Sequence, residues 1–302
     1  KDSINLRTLR SCGDSPSKVI FSPTMTIVGE ERRLAVVLSD TNVTLIDLSH
    51  LDRLETTVQL SRAQGEPLVK PAQVLFSPNR PELYVRGARS NDIFVFTLAE
   101  RAGDDTVSAN EKPHNDFRPS IDQLGVGGLP SDMALYETAD ATRLLVLSAE
   151  TQQASIVDTA TSQITSVSLP SPATDVLLFD AASPRGDAKA PRALLYEPGG
   201  DTVLFLDLEE LEERGSRNLE PLRLTSAIEK VIPLLEQDRV LILHPQGAGV
   251  SLIDLAARTV SPITSSAQLT AATFDAERLR LWVGPSGQNF VGWLDLQTGD
   301  TQ

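Results

Sequence analysis

Between residues 74 and 98 the chain reads Val74-Leu75-Phe76-Ser77-Pro78-Asn79-Arg80-Pro81-Glu82-Leu83-Tyr84-Val85-Arg86-Gly87-Ala88-Arg89-Ser90-Asn91-Asp92-Ile93-Phe94-Val95-Phe96-Thr97-Leu98. Three apolar runs rich in Val, Ile, Phe and Tyr are separated by clusters of Pro, Asn, Gly, Ser and Asp. Each run is too short for a helix and lacks a 3.6-residue apolar spacing, whereas β-branched and aromatic runs bounded by turn residues read as strands. The stretch is three strands joined by two turns.

Reading outward, the unit repeats. Val43–Leu48, Ser155–Asp158, Val203–Leu208, Val250–Leu255 and Gly292–Leu296 are further runs that end in Ile/Val/Leu-Asp or continue one residue past it. Phe94–Leu98 fills the same slot with Thr97 in place of the acid. The anchors 47, 97, 158, 207, 254 and 295 lie 50, 61, 49, 47 and 41 residues apart. Ahead of each sits a second apolar run (34–38, 83–85, 144–147, 193–196, 240–243, 279–283), and the two are joined by turns such as Ser39-Asp40-Thr41-Asn42 and Pro198-Gly199-Gly200-Asp201. A third run precedes each pair, as in Val19-Ile20-Phe21 and Met133–Tyr136. A fourth alternating strand follows most pairs, as in Thr56–Leu60 and Ile164–Leu169. Four strands every 40–60 residues form the unit of a β-propeller blade. Only Leu208–Arg214 reads as helix, for about two turns.

The expected fold is therefore all-β: a β-propeller of six four-stranded blades near 18–60, 72–125, 130–169, 173–224, 228–263 and 268–296. The last blade runs out of chain after its third strand, and Ile4-Asn5-Leu6-Arg7-Thr8-Leu9 alternates apolar and polar residues. Residues 4–9 are expected to close the last blade, which removes open sheet edges. If the chain, which starts at Lys1 rather than Met, is a fragment, the ring has seven blades; otherwise it is a mature product whose signal has been removed.

Phe76-Ser77-Pro78-Asn79, then Leu83-Tyr84-Val85, then Ser90-Asn91-Asp92-Ile93-Phe94-Val95-Phe96 resembles the YVTN-type (cell-surface and lactonase-like) β-propeller repeat, which runs F-S-P-D-G, L-Y-V-x-N, S-N-x-V-x-V-I-D. Thr142–Leu169 follows it in outline, with Asp158-Thr159-Ala160-Thr161 at the D-x-x-T turn. The sequence departs from that pattern at Arg86, where the family has Asn, and lacks the glycine after Ser-Pro. The resemblance implies the fold and a surface-protein or scaffold tendency; it implies no activity, because propellers host hydrolases as well as interaction modules.

Composition narrows the classes. With 27 basic against 41 acidic residues the net charge is −14, a field that repels phosphate backbones and anionic lipid, so no nucleic-acid partner is expected. No run reaches the roughly 18 apolar residues that span a bilayer, so no membrane insertion is expected. Cys12 is the single cysteine and supports no internal disulfide, no Cys-based zinc site and no redox pair.

The search for chemistry returns little. His50, His114 and His244 have no ligand spacing among them, and His244, at the end of a second strand, reads as a satisfied or solvated histidine rather than a catalytic one. Gly284-Pro285-Ser286-Gly287 reads as a turn, Ser15-Pro16-Ser17-Lys18 lacks the helix that Ser-x-x-Lys needs, and Gly125-Val126-Gly127-Gly128 is followed by Pro130 rather than a helix. The repeated acids Asp47, Asp158, Asp207, Asp254 and Asp295, one per unit at a strand end, read as turn caps. No cofactor is expected. Asp132, Asp175 and Glu229, near the starts of first strands in successive units, are the candidates for a divalent cation at a channel mouth, which a lactonase-like hydrolase requires.

In a four-stranded blade the links from strand one to two and from three to four leave from the same end. The lengthened links 99–116, 180–191 and 209–218 belong mostly to that class, and links that long are usually binding loops or disordered tips. The resulting expectation is a non-catalytic interaction scaffold, bacterial by its Arg-rich and Lys-poor usage and located in the periplasm or at the cell surface, with the cytoplasm left open. A protein partner would be contacted through Asp104, Asp105, Glu111, His114, Arg185, Glu212 and Arg214. The alternative is the cation-dependent hydrolase.

Overall fold

The computed structural model describes residues 12–13, 15–60, 69–101, 113–138, 141–182, 189–208, 219–245, 249–263, 269–275, 278, 280–285 and 291–295. These residues are nearly all strand, and four-stranded antiparallel sheets recur along the chain. The first sheet has the order β1 (Lys18–Phe21), β4 (Leu34–Leu38), β5 (Asn42–Asp47), β6 (Thr56–Gln59). The second is β7 (Pro71–Phe76), β8 (Glu82–Gly87), β9 (Asp92–Glu100), β10 (Phe117–Gly125), and the third β11 (Asp132–Glu137), β12 (Thr142–Ser148), β13 (Gln153–Asp158), β14 (Ile164–Ser168). The fourth is β15 (Asp175–Ala182), β16 (Lys189–Tyr196), β17 (Thr202–Asp207), β18 (Leu219–Arg223), and the fifth β19 (Lys230–Leu234), β20 (Arg239–Leu243), β21 (Val250–Asp254), β22 (Thr259–Ile263). The sixth shows three strands among the described residues: β23 (Leu269–Asp275), β24 (Arg280–Pro285) and β25 (Gly292–Asp295). The proposed closing strand 4–9 lies outside the described residues, as do residues 209–214 of the expected helical turns.

Contacts divide the chain into two compact units. One comprises Lys1–Leu135 with Ala141–Ser166, the other Tyr136–Asp140 with Val167–Gln302.

In the first unit, middle strands are apolar on both faces and pack sheet on sheet. Val36, Leu38, Val43 and Leu45 of the first sheet meet Leu83, Val85, Phe94 and Phe96 of the second in one buried cluster. Tyr84 and Ile93, on the opposite face of the second sheet, meet Met133, Leu144, Val146 and Val157 of the third. Burial on both faces explains why these runs read as continuous rather than alternating. In the second unit the same arrangement joins Leu194, Val203 and Phe205 to Val240, Ile242 and Ile253, and Leu241 and Val250 to Leu281.

One element is absent from the sequence reading. Between β1 and β4 the chain makes a small hairpin of β2 (Met25–Ile27) and β3 (Glu30–Arg32). Its turn is Val28-Gly29 with φ of 50° and 76°, the pair of positive values that a two-residue hairpin turn demands. Met25 and Ile27 are buried in the first cluster, so the hairpin is packed down rather than free.

Candidate docking face

Antiparallel order sends the first-to-second and third-to-fourth links of each sheet out at the same end. In the first unit these are 22–33 and 48–55 from the first sheet and 77–81 and 101–116 from the second. Hydrogen bonds tie the 48–55 link and the start of β6 to the base of the long link: the N–H of Leu54 donates to the carbonyl of Pro113 at 2.8 Å, and the side-chain amide of Asn115 donates to the Thr56 hydroxyl at 3.0 Å. The long link is closed at its base, where the N–H of Arg101 donates to the carbonyl of Asp116 at 2.8 Å.

At the centre of this face sits Arg32, whose side chain is fully buried. Its guanidinium makes a forked contact with the carboxylate of Asp116, Nη2 donating to Oδ2 at 2.6 Å and Nη1 to Oδ1. It also donates to Oδ2 of Asp47 at 3.2 Å and Oε2 of Glu30 at 2.7 Å. Arg53 reaches Asp116 at 2.7 Å. The His50 ring lies 3.2 Å from Asp47 and 3.7 Å from Glu30. The hairpin, the end of β5 and the base of the long link are thus clasped by a network with a buried arginine as its hub. A buried guanidinium is costly unless its charge is paired and hydrogen-bonded. The forked hydrogen bonds from Arg32, with Arg53 adding to them, hold the Asp116 carboxyl well below the usual carboxylate range against the opposing effect of burial. The hydrogen bond to Asp116 likewise raises Arg32 above its ordinary value.

The second unit repeats the device in simpler form. Arg258, in the link after β21, pairs with Glu220 of β18 and lies 3.9 Å from Asp207 at the end of β17. Its guanidinium stands 5.8 Å from the centre of the Phe205 ring. Arg192 lies 3.6 Å from the same Asp207.

The repeated acids are turn caps as expected where the turns are described. Oδ1 of Asp47 accepts the N–H groups of Ser49 and His50, Oδ1 of Asp158 those of Ala160 and Thr161, and Oδ1 of Asp254 those of Ala256 and Ala257. The N–H of Thr161 leads in lowering the Asp158 carboxyl. Sequence reading missed their second partner. Arg143, Arg192, Arg239 and Arg280 stand directly across the ladder from Asp158, Asp207, Asp254 and Asp295. A recurring interval carries that signal: each arginine precedes its aspartate by fifteen residues, as Arg32 precedes Asp47.

The cation candidates lie in three different sheets or at their edges. Oδ1 of Asp132 accepts from the Gln73 amide at 2.7 Å and from the N–H of Met133 at 2.9 Å, while Arg86 donates to Gln73 and to the carbonyl of Pro130. Oδ2 of Asp175 accepts from the Thr174 hydroxyl at 2.6 Å, and Glu229 is exposed. Among the described residues no group of three or more His, Cys, Asp or Glu side chains could hold a metal ion. Of the partner-binding candidates, His114 is exposed on the long link of the first unit. Asp104, Asp105, Glu111, Arg185, Glu212 and Arg214 lie outside the described residues. Of the two readings of His244, satisfied or solvated, the structure shows the satisfied and buried one: its ring bonds the Ala227 carbonyl and the Ser251 hydroxyl, each at 2.7 Å.

No family model matches the chain, and no curated protein matches it in sequence. Among solved structures the chain is similar to dihydro-heme d1 dehydrogenase NirN in complex with DHE, with a TM-score of 0.59, 13% identity, and coverage of 89% of this chain and 54% of that one. It is similar also to Kuenenia stuttgartiensis hydrazine synthase, with a TM-score of 0.51, 18% identity, and coverage of 98% and 81%. A third likeness is to BBS1N in complex with ARL6DN, with a TM-score of 0.50, 12% identity, and coverage of 93% and 78%. The chain spans little more than half the length of NirN. At such identities the likeness concerns the fold, which is a β-propeller, and leaves activity open.

Proposed function

We propose that this propeller is a non-catalytic scaffold that docks a protein partner through the face carrying the first-to-second and third-to-fourth links. The observation that carries the reading is the clasp around Arg32. A fully buried arginine joins an inserted hairpin, the end of β5 and Asp116 at the base of the 101–116 link through three carboxylates, which anchors the described base of that link. Loops positioned by a rigid frame are the usual bearers of recognition. The BBS1N propeller in complex with ARL6DN is a precedent for this use of the fold. We place the protein outside the cytoplasm, in the periplasm or at the cell surface, an assignment that fractionation of the source cells tests.

The test is a deletion that respects the clasp. Replacing residues 102–112 with a short turn leaves Pro113, Asn115 and Asp116 in place to hold the first sheet. Affinity capture with the intact chain and with the deletion variant, read by mass spectrometry, should lose the specific partner in the variant while the thermal transition stays nearly unchanged. Equal capture by both chains removes the long link from the interface.

A further inference from the structure

The ring of His50 stands between two carboxylates that belong to different links of the first sheet. Nδ1 lies 3.2 Å from Oδ2 of Asp47, at the end of β5, and Nε2 lies 3.7 Å from Oε2 of Glu30, on the inserted hairpin. The two contacts are unequal, because the Asp47 side chain has no exposure while that of Glu30 is 57% exposed. Asp47 also shapes the turn that carries the ring. Its Oδ1 accepts the N–H groups of Ser49 and His50, and the N–H of Arg53 donates to the His50 carbonyl at 3.1 Å. Glu30 is held by Arg32 at 2.7 Å whatever the state of the ring, so His50 supplies a second tie.

A neutral imidazole has one N–H and one lone pair. The buried Asp47 carboxylate takes no hydrogen bond from water, so the neutral ring keeps its proton on Nδ1. Nε2 then turns a lone pair toward the Glu30 carboxylate, and the two repel. Protonation replaces the lone pair with a second N–H and makes the contact an ion pair. The charge count points the same way: the carboxylates of Glu30, Asp47 and Asp116 meet the guanidinium groups of Arg32 and Arg53, and a charged His50 brings the two signs level. Of the other charged or titratable side chains on these links, Glu31, Arg33, Asp52 and His114 are exposed, and Glu55 and Arg101 half-buried. Histidine is the side chain whose charge ordinarily changes between about pH 5 and 8.

We propose that His50 is a pH-sensitive latch between the β2–β3 hairpin and the 48–55 link. The charged ring ties Glu30 down and firms the hairpin, and the tie is lost as pH rises through the histidine range. The inference extends the docking reading, since both segments belong to that face, but its test uses the free 302-residue chain. Hydrogen exchange, corrected for the intrinsic pH dependence of amide rates, should find β2–β3 protected on the order of threefold more at about pH 6 than at about pH 8, relative to β12 and β13, as a partly exposed ion pair allows. His50→Gln should flatten that response, as should Glu30→Gln, which still accepts from Arg32. Imidazole nitrogen shifts at the higher pH should place the His50 proton on Nδ1. A parent hairpin equally protected at both pH values overturns the proposal, as does a His50→Gln variant that keeps the response or a neutral ring protonated on Nε2. No partner enters these measurements, so a flat response counts against the latch alone, whereas equal capture by the 102–112 deletion counts against docking alone.

Discussion

Arg32 and its two aspartates have unequal stakes. Asp47 has no side-chain exposure, whereas the Asp116 side chain is 36% exposed. Replacing Arg32 with Met leaves Asp47 buried beside an apolar chain, so chemical denaturation should show a loss of about 3–5 kcal/mol, the range for breaking a buried pair from one side. Asp116→Asn should cost about 1 kcal/mol or less, because water screens the exposed carboxylate. The pH dependence follows from the lowered Asp116 carboxyl. A group depressed in the folded state contributes stability that is present above its unfolded value, near pH 4, and lost as pH falls toward its folded one. Stability from the clasp should hold from neutrality to about pH 5 and erode below about pH 4, and the Asp116→Asn variant should show a shallower acid limb. The partnership with Asp116 was not legible beforehand, because Asp116 stands 84 residues from Arg32.

At the scale of elements, the turns carry a second lesson. In the link after β21, Arg258 has φ of 55°, a left-handed position where glycine is the usual choice. It is retained there because its side chain reaches Glu220, Asp207 and Phe205 of the neighbouring sheet. Two substitutions separate the effects. Arg258→Ala loses the contacts and keeps the strain; Arg258→Gly loses the contacts and relieves it. Thermal denaturation should find the glycine variant the more stable of the two by about 1 kcal/mol. The strands themselves were legible, since runs rich in β-branched and aromatic residues between turn residues recur at near-regular intervals. The β2–β3 hairpin was not: its strands have three residues each, too few for alternation to register, and Val28 is an uncommon residue for its turn. The fifteen-residue Arg-to-Asp interval was present in the sequence, but its meaning depends on a register that only pairing reveals.

For the whole molecule, charge is unevenly shared. Residues 1–100 hold 12 acidic and 12 basic side chains, so the −14 excess lies wholly in 101–302. The 101–116 link itself holds four acidic and two basic side chains, so a basic partner docking there should associate more slowly as salt rises. The all-β propeller class was readable because a repeat states itself many times over. The proposed docking face was readable only as link lengths, since the clasp at its base joins residues distant in sequence. The most direct test of the docking account is hydrogen exchange on the complex with the captured partner. Protection is predicted in segments 24–33, 48–55 and 113–116, with links at the opposite ends of the sheets, 39–41, 88–91 and 149–152, unaffected. Protection confined to those opposite links would contradict the account.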